Sequence, residues 1–152
     1  RVFSFIKKNC SNKIPNAKKF NAVDNKLLNQ LKNNVPNLIK LMNNQNLNEF
    51  IKIVVSYSFD ANKYFNDSEP WSVKKTDPER MNVILFTICE QIKNISILLN
   101  SIIPIATEKV LDTMNIEKEK ISIDQINNLE SFNHNKELKE LDILFNKIEN
   151  DN

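Results

Sequence analysis

An all-α fold, an antiparallel bundle of about five helices with an extended or short-helical C-terminal tail, is predicted by three features of these 152 residues. The chain has no glycine, whereas β-rich folds draw on glycine at positive φ for hairpins and bulges. Apolar residues recur at three- and four-residue steps over long stretches, the signature of helices with one buried face. Pro70, Pro78 and Pro104 mark places where such stretches stop or start.

Each element follows from its own residues. Arg1 to about Asn9 reads as the end of a helix, with Val2, Phe5 and Ile6 at helical spacing, and "CSNKIPNAKKFNAVD" as a polar loop containing Pro15. From about Asp24 to Asn43, the residues Val23, Leu27, Leu28, Leu31, Val35, Leu38, Ile39 and Met42 form an amphipathic stripe. A kink is expected at Pro36, which has no backbone donor and crowds the preceding turn. A helix from about Leu47 to Asn66 places Phe50, Val54, Tyr57, Ala61, Tyr64 and Phe65 on one stripe. It stops at "NDSEP", where residue 69 is biased toward an extended conformation by the following proline. Trp71 then falls in the connection.

"TDPERMNVILF" is a helix start: Asp77 caps, Pro78 suits the first position, and Glu79 favours the positive end of the dipole. The helix runs to about Ser101, with Met81, Ile84, Leu85, Ile88, Ile92, Ile95 and Leu99 facing inward. Pro104 opens another, Ile105 to about Met114, completing an antiparallel bundle over residues 1–115. Residues 116–152 form a charged tail with one short helical candidate, Asp124 to Leu129. Its Leu138, Leu141, Leu144 and Ile148 are expected to pack back on the bundle or on an absent domain.

Composition narrows the function. Without glycine there is no Walker-type phosphate loop and no Gly-rich dinucleotide fingerprint. The 26 asparagines point to an AT-rich genome more than to a chemistry, and can fill some positive-φ positions. Cys10, Cys89 and His134 show no metal-ligand spacing, so no metal site is expected, and two unpaired cysteines fit a reducing, cytoplasmic setting. No apolar run reaches the roughly 18 charge-free residues of a membrane span. The chain begins at Arg1 inside a helical pattern with no initiator Met, so it reads as a piece of something larger.

The net charge of +2 hides an asymmetry. Residues 1–75 hold thirteen Lys/Arg against five Asp/Glu, and residues 76–152 hold eight against fourteen. A basic half suits a polyanion. His134, in the polar stretch "SFNHNKE", has no nucleophile beside it, and no Glu-x-x-His pair offers a metal carboxylate bundle. No catalytic residues are therefore assigned.

Single-stranded bases are recognised by stacking on aromatic rings, with basic side chains along the phosphates. Trp71, the only tryptophan, follows Pro70 at a helix-terminating corner and precedes Lys74 and Lys75. Asn62, two turns earlier, could read a base edge. Two readings of Trp71 stand together at this point: a ring presented to a base, or a plug for the bundle end.

"ANKYFNDSEPWSVKK" resembles the signature of the anticodon-binding domain of the methionyl-tRNA synthetase family, in which Asn-x-Tyr leads through an acidic link to Glu-Pro-Trp and a Lys. "RVFSFIKKNCSNKIP", "ILLNSIIPIATEKV" and "ILFNKIE" resemble that family's first helix and its exit loop, its proline-marked helix turn, and its closing segment. In the second of these, Ile105 and Ala106 replace part of the proline pattern. The resemblance implies a module that recognises the CAU anticodon of methionine tRNA. By it, Trp71 stacks on anticodon bases and Pro70 orients the ring. Arg1 matches the arginine of an Asn-x-x-x-Arg motif that bonds the anticodon; its asparagine would lie four residues earlier, so weaker binding is expected of these residues alone. Lys8, two turns after Arg1, would face the same side, and Asn62 would bridge to the Trp71 loop.

The resemblance also implies a parent enzyme that activates methionine with ATP and transfers it to tRNA. ATP and Mg²⁺, with Zn²⁺ as a further candidate, belong to its catalytic domain, whose His-Ile-Gly-His and Lys-Met-Ser-Lys-Ser signatures do not occur here. This segment would recognise tRNA without catalysing, with its tail turned toward the catalytic domain. The alternatives are a protein–protein interaction bundle anchored by Trp71, and the anticodon domain of another class I synthetase.

Overall fold

Side-chain caps set where the long helices begin. The Asn21 side chain accepts from the Val23 and Asp24 amides, and Asp24 accepts from the Asn21 amide, a reciprocal capping box. Asn46 caps through the Glu49 amide and Asp77 through the Arg80 amide. The computed structural model describes residues 1–148. Its helices are α1 (Val2–Asn9), α2 (Ala22–Asn43), α3 (Leu47–Ser68), α4 (Pro70–Val73), α5 (Pro78–Leu99) and α6 (Pro104–Thr113). Two 3₁₀ turns follow, Lys118–Lys120 and Ile123–Gln125. Among the described residues the sole strand-like pairing is an isolated antiparallel bridge between Lys13 and Glu137.

The all-α bundle is the fold the apolar periodicity predicts, and the differences are local. The α3 stripe is buried at all six expected positions. On α2 the buried set is Leu27, Leu28, Leu31, Val35 and Leu38, but Val23 is 58% exposed and Ile39 40%, since the stripe is wider than the surface available to cover it. α2 continues as one helix through Pro36, which lies on its exposed side.

α5 is the central rod, packing against α1, α2, α3, α4 and α6. Enclosed this way, it buries residues all round, including Thr87, Glu90, Gln91, Lys93 and Asn94. By length and composition α5 could cross a membrane, yet 78% of its most apolar stretch is inside the bundle. Ile92, Ile95 and Leu99 are only half-buried, while Ile97 and Leu98 are buried in the core.

Positive φ falls on Ser11, Asn12, Gln45, Glu69, Asn115 and Asn127 among the described residues. Asparagine takes three of these positions, as its short amide tolerates the left-handed region. Glu69 differs from expectation: it is left-handed, φ 42° and ψ 58°, and not extended. As the residue after α3 it is both the C-cap of that helix and the N-cap of the next. The left-handed cap that ends a helix overrides the extended bias before proline, because one residue must reverse the chain between two abutting helices. A non-glycine residue there is strained. Glu69→Gly is therefore expected to stabilise the chain by about 1 kcal/mol, read as a raised urea midpoint; a lower midpoint would contradict the strain.

Residues 116–138 lie on the bundle. Ile116, Ile126, Phe132 and Leu138 belong to the same buried core as the helices. Polar pins hold this segment: the Leu138 amide donates to Asn12 O at 2.7 Å, and Lys139 N to Thr113 O at 3.0 Å. The expected helix from Asp124 to Leu129 is a single 3₁₀ turn ending at Gln125. Tertiary hydrogen bonds explain why: the Asn127 amide donates to Asn94 Oδ1 at 3.1 Å and its side chain donates to Leu28 O at 3.1 Å. Those bonds hold Asn127 at positive φ, out of helical register. Of the four tail residues expected to pack, Leu138 is buried and Leu144 half-buried, while Leu141 is 39% and Ile148 86% exposed.

His134 also departs from the expected surface loop. It is half-buried, its Nδ1 lies 2.8 Å from Ile14 O, and its ring sits 5.8 Å from the Phe86 ring. It is a structural linker between the tail and the exit loop of α1.

Candidate nucleic-acid interface

The corner between α3 and α4 gathers most of the sequence-predicted site. α3 stops at Ser68, Glu69 reverses the chain, and Pro70 opens a single-turn helix as its first residue. Trp71 thus lies within α4, not in an open connection as its polar, proline-marked surroundings suggest. The turn closes through Ser72 N and Val73 N donating to Glu69 O, and Lys74 N to Pro70 O, each at 2.9–3.0 Å. Pro70 is buried and Trp71 remains 38% exposed. The ring packs on one side and leaves about a third of its surface open.

The packed edge meets Phe65, one turn from the end of α3, in an edge-to-face pair with centroids 5.9 Å apart and planes at 75°. Phe65 in turn meets Phe5 of α1, at 6.5 Å and 85°. Arg1, at the head of α1, lies over both α3–α4 rings, with its guanidinium carbon 5.0 Å from the Phe65 centroid and 5.7 Å from that of Trp71. One of its terminal nitrogens donates to Asn62 Oδ1 at 3.5 Å and the other to Asn66 Oδ1. A cation over aromatic faces is attracted by the ring quadrupole, so α1 and α3 present a fixed guanidinium beside an exposed indole.

Lys74 reaches back across the same corner, its Nζ donating to Asn9 Oδ1 at 2.9 Å and lying 6.0 Å from the Phe5 centroid. Arg1, Phe5 and Asn9 recur every four residues, so one stripe of α1 meets the corner along its length. Lys8 and Lys75 are exposed and take no part in these ring and hydrogen-bond contacts among the described residues. The structure therefore brings together Arg1, Asn62, Pro70, Trp71 and Lys74, and leaves Lys8 and Lys75 on the surrounding surface.

Sequence reasoning missed Asn66 and Phe65 as site residues. Phe65 reads as one more core position, and Asn66 as one of many asparagines; the signal that could have found Asn66 is its spacing of four from Asn62 on the same helix face. Beside the corner, a cleft of about 290 Å³ runs between α1, α3, α5 and α6, lined by Arg1, Asn62 and Phe65 at one side and by Ile88, Ile92 and Val110 along α5 and α6.

A buried network anchors the corner from within. Asp24, fully buried, accepts from Arg80 through both terminal guanidinium nitrogens at 2.6 and 2.8 Å and from the Tyr64 hydroxyl at 2.6 Å. Burial pushes the Asp24 carboxyl up, but the Arg80 and Tyr64 hydrogen bonds outweigh it and hold it below the ordinary carboxylate value. The same burial, with the Asp24 charge beside it, pushes the Tyr64 phenol up. α2, the end of α3 and the start of α5 are thereby tied at one point, on either side of α4.

Among the described residues no cluster of three or more His, Cys, Asp or Glu could hold a metal. Cys89 is buried, and burial pushes its thiol up, away from the reactive thiolate.

An all-α bundle that sets a partly exposed ring beside a fixed guanidinium defines a candidate binding module. The family model described as the anticodon binding domain of methionyl tRNA ligase matches residues 14–152, and the chain belongs to that family. The methionine–tRNA ligase of Brucella suis biovar 1 (strain 1330) is 32% identical over 120 residues, covering 79% of this chain and 23% of that protein. The free-state Mycobacterium tuberculosis methionyl-tRNA synthetase superposes with a TM-score of 0.87 at 21% identity, covering 98% of this chain and 30% of that one. The same enzyme in complex with methionyl-adenylate gives 0.87 at 22% identity, over 97% and 29%. The chain thus spans about a quarter of the length of the relatives it matches. Arg1 and Lys8 lie before the first residue matched by the family model.

Proposed function

We propose that this chain recognises the CAU anticodon loop of methionine tRNA on behalf of a cytoplasmic methionine–tRNA ligase. The observation that carries the reading is the Arg1–Phe65–Trp71 cluster in a chain of this family: a partly exposed indole, edge-packed so that it stays in place, next to a guanidinium held by two amides. Trp71 serves as the stacking surface for an unstacked base, Pro70 and Phe65 fix the ring, and Arg1 donates to the edge of the base. Asn62 acts through Arg1. Lys74, with Lys8 and Lys75 around it, meets the phosphates.

The whole protein's reaction, joining methionine to tRNA with ATP, is proposed from the relatives' names and from the methionyl-adenylate complex of the Mycobacterium tuberculosis enzyme. ATP and Mg²⁺, and any Zn²⁺, act in its catalytic domain. Within the present chain we assign recognition to the bundle, residues 1–115. We assign to the tail, residues 116–152, contact with the bundle and, through its exposed apolar end at Leu141, Ile143 and Phe145, with the catalytic domain.

The test is Trp71→Ala. Loss of one base stack is worth about 1–3 kcal/mol, so binding of an anticodon stem–loop RNA with a CAU loop is expected to weaken about tenfold or more, with helical circular dichroism unchanged. Wild-type binding should also fall steeply with salt, because basic side chains displace counterions from the phosphates. A variant that keeps full RNA affinity while the bundle loosens would show that the ring is a plug. Tight, salt-independent capture of a helical peptide would favour a protein partner.

A further inference from the structure

We propose that residues 117–132 form a flap that swings off α2 and α5 as one unit while the helices stay folded. Among the described residues, the backbone–backbone hydrogen bonds of this segment are internal to it, as from Lys120 N to Glu117 O, Gln125 N to Ser122 O, Ile126 N to Ile123 O and Ser131 N to Asn128 O. Its two ends are fixed at one place, the end of α6. Ile116 N donates to Leu111 O at 3.0 Å, the Asn115 side chain to Glu137 O at 2.8 Å, and Lys139 N to Thr113 O at 3.0 Å. A loop bonded to itself and closed at a stem is a unit that can open locally.

Side chains hold the flap shut. Lys32 Nζ donates to Ile126 O at 3.0 Å, Lys93 Nζ to Asn128 O and Ser131 Oγ, and Asn94 and Asn127 exchange two bonds at 2.8 and 3.1 Å. The Asn127 side chain adds a bond to Leu28 O, and Lys118 pairs with Glu108 at 3.3 Å. Ile126 and Phe132 supply the apolar grip, with Phe132 edge-to-face on Phe86 at 5.7 Å. Beneath the flap lies a polar face of α5: Glu90, Lys93 and Asn94, at i, i+3 and i+4, all fully buried. Neither oxygen of Glu90 has a hydrogen-bond partner among the described residues. Opening therefore gives water to an acid, a base and an amide, which offsets part of the cost of baring Ile126 and Phe132. A flap over an apolar helix face would have no such compensation. None of these bonds involves α1, α3 or α4, so the corner that bears Trp71 keeps its shape while the flap is open.

Amide hydrogen exchange of the whole chain, in urea well below its midpoint, tests this. The Ile126, Asn127 and Ser131 amides are expected to share one protection factor and one urea dependence, both smaller than those of α3 and α5. Ala61→Gly is the discriminating variant. Ala61 faces the cleft over Ile88, Ile92 and Ile95, the side of α5 opposite Lys93 and Asn94. The change should lower protection of the α3 and α5 amides about fivefold and leave that of the flap unchanged. Asn94→Ala, which removes both bonds to Asn127, should lower flap protection about tenfold with helical circular dichroism unchanged. An equal loss in flap and helices of Ala61→Gly would mean that the flap opens only when the whole chain unfolds, and would overturn the proposal. Unrelated protection factors at the three flap amides would overturn it too, since they mark separate fraying and not one moving unit.

Discussion

Asp24→Ala is expected to lower the folding free energy by about 3–5 kcal/mol. The carboxylate is fully buried and receives four hydrogen bonds, from Asn21 N, the Tyr64 hydroxyl and both terminal nitrogens of Arg80. Its removal leaves a buried phenol without an acceptor and an arginine without its counter-charge. Arg80 keeps a 23% exposed side chain and so some access to water, which places the loss toward the lower end of the range. The loss also reaches the α3–α4 corner, because Tyr64 and Arg80 flank α4 in sequence.

The pH dependence gives a second readout. Asp24 is held below its ordinary value of 3.8, so on acidification the unfolded chain takes up a proton that the folded chain resists. Its contribution is fully present above that ordinary value and is lost as pH falls through the depressed folded value. The shape-conserving Asp24→Asn cannot titrate, so acid should destabilise it less steeply than wild type as pH falls below the ordinary value of 3.8. Urea midpoints measured across that range check both statements; a variant as acid-sensitive as wild type would assign the effect to other carboxylates.

Lys93→Met is the other large effect, and it acts on the tail. Lys93 is fully buried: its Nζ donates to Asn128 O at 3.0 Å and to Ser131 Oγ at 2.9 Å, and lies 2.7 Å from Glu90 Oε1. The contact with Glu90, itself fully buried, is an ion pair by distance, but its angles fall outside hydrogen-bond geometry. The carboxylate therefore gains charge attraction without a well-formed bond. Burial pushes the Glu90 carboxyl up to about 7 although Lys93 pulls it down, and burial pushes the Lys93 ammonium down.

Without Lys93, Glu90 is a lone buried acid, and about 3–5 kcal/mol of stability should be lost near neutral pH. Between its ordinary value of 4.5 and its raised folded value, the folded state holds a proton that the unfolded chain releases. Stability therefore falls as pH rises through that window. Removing the cation widens the window, so Lys93→Met should be more destabilised at pH 8 than at pH 5, and amides near Asn128 should exchange faster. An equal loss at both pH values would mean that the hydrogen bonds to the tail, and not the charge pair, dominate.

The two ties differ in how far the residues themselves disclosed them. Asp77, Pro78 and the stripes of α3 and α5 are local signals, each decided within one or two helical turns, and the helices lie where those signals place them. Trp71 is legible as a candidate site residue for the same reason: a single indole after Glu-Pro, in a chain with no glycine, stands out in its own neighbourhood. Asn66 is not, because an asparagine among 26 gains meaning only from the guanidinium 65 positions away. Asp24 reads in sequence as a helix start, and Arg80 as a surface residue of one; 56 positions separate these partners, and no periodicity links them. Glu90 and Lys93 look like the polar face of α5 until the tail covers it.

By itself the sequence determined the helical class, the starts and stops of the long helices, the family to which the chain belongs and the corner that bears Trp71. Those properties rest on backbone sterics, capping and apolar spacing, which act over a few residues. Tertiary structure alone decided which polar residues are buried, that Glu69 takes a left-handed turn, that Arg1 lies across two rings, and that residues 116–138 complete the core. These depend on which surfaces meet once helices pack, where a charge is stable only if a distant partner arrives to answer it.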